Sequence, residues 1–333
     1  MNLNTLYISL LAITLSSTAF SQVDKALIPT QEDKCHSIDL RNEYLGVNRD
    51  QGEISWCYAY TSSDLLAYHF KTDRISAADT AISYNNLNLP SLMKLVGDIF
   101  TNPRTNPRYD LPFQTGFSNL AISNKLKNGI CFEKDFPSEQ MVKVSIKNNI
   151  ESSSIIRMED AMMDIIELSK KIKSGAITKT NLPYYFRISN MSKNDFFSIL
   201  KKSKRKTVWE NLRKVACSNP QFEKEVAIGQ VIRFSRIFSK INKQLNRDNI
   251  VAIDYSSKIL KNANHRNPLS SLHTSSIVGR RFNKTNNQCE YLIRDSHGTD
   301  CSQYDQTWSC EAGNIWIDEA SLYPNLLRAV YIK

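Results

Sequence analysis

The chain has 333 residues, a net charge of +10 and seven cysteines. It carries no internal repeat, low-complexity tract or glycine-rich phosphate loop, and its positive charge comes without the aromatic and glycine pattern of an RNA-binding module; repeat, nucleotide-binding and nucleic-acid functions are set aside.

The first element is an export signal. Leu6 to Leu15 form an apolar run, followed by Ala19-Phe20-Ser21, a small-x-small cleavage pattern before Gln22. The run is well short of the roughly 20 residues that span a bilayer. No Lys or Arg precedes it, and no cysteine marks a lipid anchor at the cleavage point. Residues 1–21 are read as a signal peptide and the mature chain as secreted or periplasmic, with no later membrane span.

The most informative stretch is Asp50-Gln51-Gly52-Glu53-Ile54-Ser55-Trp56-Cys57-Tyr58-Ala59-Tyr60, which sets a glutamine amide six residues before a cysteine that opens a helical run. Acyl transfer needs a sulfur activated as thiolate and a donor aimed at the developing oxyanion, and a helix start beneath a thiol favours the anion. The alternative is a buried structural cysteine at the start of a core helix.

Between residues 150 and 225, Met158, Met162, Ile165, Ile166, Leu168 and Ile172 recur with helical spacing, and Gly175 is a natural stop. Phe196, Phe197, Ile199, Leu200, Trp209, Leu212 and Val215 read the same way. The basic run Lys201, Lys202, Lys204, Arg205 and Lys206 lies in this region; a solvated helix end and a contact with an anionic surface are the two readings. Ile250-Val251-Ala252-Ile253, closed by Asp254, has the length and β-branched content of a buried strand. Farther on, His273-Thr274-Ser275-Ser276-Ile277-Val278-Gly279 leads through a polar loop into Cys289-Glu290-Tyr291-Leu292-Ile293-Arg294-Asp295-Ser296-His297-Gly298. This predicts two strands joined by a turn, with His273 at the start of one and Asp295 at the end of the other.

At this point the chain resembles the papain-like cysteine peptidases, the papain and cathepsin family. The resemblance implies oxyanion donation by Gln51, nucleophilic attack by Cys57, base catalysis by His273 and orientation of the base by Asp295. Gly116-Phe117-Ser118-Asn119-Leu120-Ala121 and Asn128-Gly129-Ile130-Cys131-Phe132-Glu133-Lys134-Asp135-Phe136-Pro137 resemble two further family segments, which makes Gly116 and Thr115 substrate-binding positions, with Ser55 and Trp56 beside the nucleophile. Asp39-Leu40-Arg41 and Gly313-Asn314-Ile315-Trp316-Ile317 resemble family segments near the mature N-terminus and in a late strand. The implied fold is α+β, a helical domain plus a β-barrel-like domain. Residues 22–149 carry the nucleophile, residues 150–225 are a helical insertion and residues 226–333 carry the base and its orienter.

The departures from the family pattern carry consequences. Ile54 stands where the family has a disulfide cysteine, Ser55 and Thr115 replace glycines, Asp295 replaces Asn, and His297 replaces a shielding Trp that Trp308 is a candidate to supply. His297, two residues from Asp295, is a rival base. Fewer than twenty residues separate Gln22 from Asp39, too few for the family's helical propeptide, so either the enzyme folds active or the insertion covers the cleft. Six cysteines remain beside Cys57, with fifteen possible pairings; Cys301 with Cys310 closes the shortest loop, and unpaired buried thiols are the alternative. His36 with Cys35 makes a poor metal site, and neither metal nor cofactor is expected. The implied function is a cysteine endopeptidase acting on a peptide or protein through a thioester. An acyltransferase and a non-catalytic binding protein on the same scaffold are the alternatives.

Overall fold

The computed structural model describes residues 35–85, 116–147, 150–217, 226–232 and 236–333. In chain order the principal elements are β1 (Ile38–Asp39), α1 (Cys57–Phe70), α2 (Ala77–Asn85), α3 (Ser118–Asn128), β2 (Gln140–Lys147), β3 (Ile150–Arg157), α4 (Met158–Lys173), β4 (Tyr184–Arg187), α5 (Lys193–Lys202) and α6 (Val208–Ala216). Then follow β5 (Ile228–Ile232), α7 (Ile237–Leu245), β6 (Val251–Ser256), α8 (Lys258–Lys261), β7 (Leu272–Asn283), β8 (Gln288–Arg294), β9 (Ser309–Glu311), β10 (Asn314–Asp318), α9 (Glu319–Leu322) and β11 (Leu326–Ile332). The expected α+β layout is present as a helical half and a sheet half, each with its own apolar core.

The sheet half is antiparallel, in the order β5-β11-β6-β7-β8-β10-β9, with β1 added to β7. It is an open sheet among the described residues, where a barrel-like closure was expected. Gly279, in the same strand as His273, permits the close passage of β1: a Cβ there would lie 2.7 Å from the Ile38 carbonyl oxygen. The ladder between β7 and β8 shifts register between Ile277 and Gly279. Leu40 N–H bonds to the Val278 carbonyl there. The Asp39-Leu40 segment is thereby attached to the strand carrying the histidine.

The helices of residues 158–216 join the core of the helical half. Met158, Met162, Ile165, Ile166, Leu168 and Ile172 are all buried in one cluster with Trp56, Tyr58 and Ala59. The helical spacing is thus satisfied by burying one face of α4, the usual source of helix stability in a folded chain. The second apolar run is two helices, α5 and α6, split by a 3-10 turn at Arg205–Thr207. A three-stranded sheet, β3-β2-β4, which the sequence reading did not include, precedes and interleaves them. Lys201 and Lys202 end α5, and all five basic residues of the run are exposed.

Three disulfides join Cys35 to Cys289, Cys131 to Cys217 and Cys301 to Cys310. The second fastens the end of α6 to the segment after α3, next to a wholly buried ion cluster in which Asp79 accepts from Lys125 and Arg213. The two halves are joined through charge as well. Asp64, two turns along α1 from Cys57, accepts from Arg294 Nε at 2.9 Å and pairs with Arg49. Burial pushes the Asp64 carboxyl up, and the two guanidinium groups outweigh it and hold it low. Because Arg294 ends β8, this pairing sets the distance between the start of α1 and Asp295. No helix among the described residues is long and apolar enough to cross a membrane.

Candidate active site

Cys57 is the first residue of α1, and its thiol is free and buried while the other six cysteines are bridged. The helix begins there because the chain turns sharply after Gln51: Gly52 has φ +62°, and Arg157 from β3 lies where a Cβ would stand. The positive φ is the ground for glycine here, because the Arg157 guanidinium ends a flexible, exposed side chain that can move aside. Trp56, expected at the substrate, is 0% exposed and packs in the core beneath Cys57. A side chain buried to this extent presents no surface to a substrate. Ser55 is half-buried beside it.

His273, near the start of β7, reaches Asp295 across the sheet, with Nε2 at 2.6 Å from Oδ1. The Cys57 thiol also acts on the imidazole and favours its charged form; with Nε2 committed to Asp295, Nδ1 is the nitrogen left to serve sulfur. Burial alone would push the imidazole down, yet Asp295 and Cys57 outweigh it and hold His273 up at about 10. Asp295 is 1% exposed. Burial pushes its carboxyl up, and the bonds from His273 and His297 override this and keep it well below the carboxylate range. An ionised carboxylate therefore sits behind a cationic imidazole.

Asp295 is held by more donors than His273 alone. Ser275 Oγ donates to Oδ1 at 3.0 Å, while His297 Nδ1 and Tyr304 OH donate to Oδ2 at 2.8 and 3.0 Å. Ser275 follows His273 by two positions in a strand, hence on the same face, so alternation alone was a signal for it. Tyr304 follows a 3-10 turn and had no such signal. His297 holds the carboxylate oxygen that His273 does not use. Trp308 bonds Ile259 O through its indole N–H, and the groups closing on Asp295 are His297 and Tyr304. His273, Asp295 and His297 are also the one His/Asp group among the described residues spaced to hold a metal ion, with ligand atoms within 4.8 Å. Hydrogen bonds already engage those atoms, and the group is read as an acid–base cluster.

Gln51 is buried and oriented on both sides. Its Oε1 accepts from Ser296 Oγ at 2.7 Å, its Nε2 donates to Ile54 O at 2.8 Å, and its backbone N–H bonds Ser296 O at 2.8 Å. An amide nitrogen has two donors, so one remains for an oxyanion. Ser296 locks the donor to the segment carrying Asp295, a link that sequence reasoning missed. Gly116 lies half-buried before α3, where a Cβ would stand 2.6 Å from the Tyr58 ring and 2.8 Å from the Tyr84 ring. Packing demands this glycine. Thr115 lies outside the described residues.

No family model matches the chain, and no curated protein matches it. Several solved structures are similar in part. A digestive procathepsin L 3 from the larval midgut of Tenebrio molitor has 12% identity and a TM-score of 0.46, covering 96% of this chain and 78% of its own. A structure from a study of antibody cross-reactivity between the mite allergens Blo t 1 and Der p 1 has 11% identity and a TM-score of 0.45, covering 100% and 78%. The ragweed pollen cysteine protease Amb a 11, in its proform, has 10% identity and a TM-score of 0.44, covering 92% and 66%. At these values the likenesses carry no part of the functional reading.

Proposed function

We propose that the chain is a cysteine peptidase of papain-like design, hydrolysing amide bonds through a thioester on Cys57. The observation that carries this reading is the buried His273, held by Asp295 at 2.6 Å and raised by the free thiol of Cys57 as well as by that carboxylate. A structural cysteine needs no such partner.

Cys57 thiolate attacks the substrate carbonyl carbon, and the Gln51 Nε2–H and the Cys57 backbone N–H receive the oxyanion. His273 gives its Nδ1 proton to the leaving nitrogen as the carbon–nitrogen bond breaks. A water then gives a proton to Nδ1 while its oxygen attacks the thioester, and the carbon–sulfur bond breaks to return the thiolate. The substrate is a peptide or protein, and the three disulfides accord with an oxidising compartment outside the cytoplasm.

Hydrolysis of fluorogenic peptide amides by the purified chain tests this, with Cys57→Ala and His273→Ala as controls. Turnover lost in both variants is expected. Turnover surviving in Cys57→Ala contradicts the reading, and capture of the acyl group by an added amine in preference to water redirects it to an acyltransferase.

A further inference from the structure

Asp295 is bound more elaborately than orienting one base requires. Four donors share its buried charge: His273 and Ser275 on Oδ1, His297 and Tyr304 on Oδ2. A full negative charge behind the base helps one half of a thioester reaction and hinders the other. Before attack, thiolate and imidazolium must coexist, and the carboxylate favours both. After acylation the sulfur is uncharged, and His273 has to be neutral to take a proton from water. The carboxylate then works against turnover by holding a proton on the base.

We propose that His297 is a positioning residue that makes the second half possible. By donating Nδ1–H to Asp295 Oδ2 it fixes the carboxylate and draws its charge away from His273, leaving a neutral imidazole available to activate water. The inference rests on the thioester reading above.

The placement of His297 suits this task. Its ring centroid lies 5.1 Å from that of His273, tilted by 34°. The backbone cannot swing away, because His297 pairs with Asp50, its carbonyl accepts from Gln303 Nε2 at 2.9 Å, and Gly298 N–H bonds Arg49 O. The other titratable groups facing the pair are Cys57 from α1, Tyr255 from β6 through Ser275, and Tyr304, with Asp50 and Asp300 beyond Tyr304. Ser275 and Tyr304 supply neutral donors. His297 is the half-exposed member of the set, at 34% side-chain exposure.

The test uses a p-nitrophenyl ester of a blocked amino acid, an acyl donor whose thioester hydrolysis limits turnover. His297→Leu keeps volume and removes the donor; His297→Asn restores a donor at the Nδ1 position without a second ring nitrogen. For His297→Leu, kcat and KM are expected to fall together by about tenfold while kcat/KM stays within about twofold. Acylated Cys57 should accumulate by intact mass, and the midpoint of kcat against pH should rise by about one unit. His297→Asn should recover most of the loss. A fall in kcat/KM equal to the fall in kcat, an unmoved midpoint, or no rescue by Asn overturns the inference and leaves the thioester reading standing. Wild type that turns over without any acyl-Cys57 overturns the thioester reading itself, and this inference with it.

Discussion

Replacing Asp295 by Asn removes one negative charge from behind His273 with little change of shape. With His273 Nε2 2.6 Å from Oδ1, the charge centres are about 4 Å apart, worth about 4 kcal/mol at an effective dielectric of about 20. At 1.36 kcal/mol per unit this is about three units of imidazole basicity. His273 is held up at about 10 in the native site, where Asp295 is the largest upward influence. The sign follows: without the carboxylate, His273 loses its proton at a lower pH. The alkaline limb of kcat/KM for an amide substrate, which needs imidazolium as the acid for the leaving nitrogen, should therefore move from near pH 10 to near neutrality. Profiles for both proteins between pH 5 and 10.5 check this. An alkaline limb that stays in place in Asp295→Asn would refute the electrostatic coupling of the two residues.

Gln51→Ala removes a fixed donor and should lower kcat roughly 100- to 1,000-fold with little change in KM, measured by steady-state kinetics. Gly116→Ala forces a methyl group to within 2.6 Å of Tyr58, so unfolding in denaturant should show a loss of about 1–3 kcal/mol. Replacing Cys131 and Cys217 by Ser opens a crosslink with a sequence separation of 86; chain entropy puts the cost at about 4.6 kcal/mol, visible in the same assay.

The placement of the candidate site residues was legible where the residue type is itself the constraint. Cys57 had to begin a helix, Gln51 had to precede it by a tight turn, and His273 and Asp295 had to end up across a strand pair. The helical period of residues 158–172 likewise specified α4 and its buried face. What escaped was set by tertiary contact. Nothing local shows that Ser296 locks Gln51 or that Tyr304 reaches Asp295. Trp56 was placed beside the substrate by its neighbour in sequence, whereas the helix start turns it into the core. β3 escaped because Ile150–Arg157 is exposed along nearly its whole length and shows no alternation of apolar and polar faces. The barrel-like closure was a property of the family resemblance, and strand periodicity alone does not distinguish an open sheet from a closed one.

The central claim is that His273 activates Cys57 in an accessible cleft. Labelling the purified chain with a biotinylated epoxide directed at papain-like thiols tests it most directly, with Cys57→Ala and His273→Ala alongside. Wild type should be labelled at Cys57 alone, and both variants should remain unlabelled while folded. Equal labelling of wild type and His273→Ala, or no labelling of folded wild type, would contradict the account.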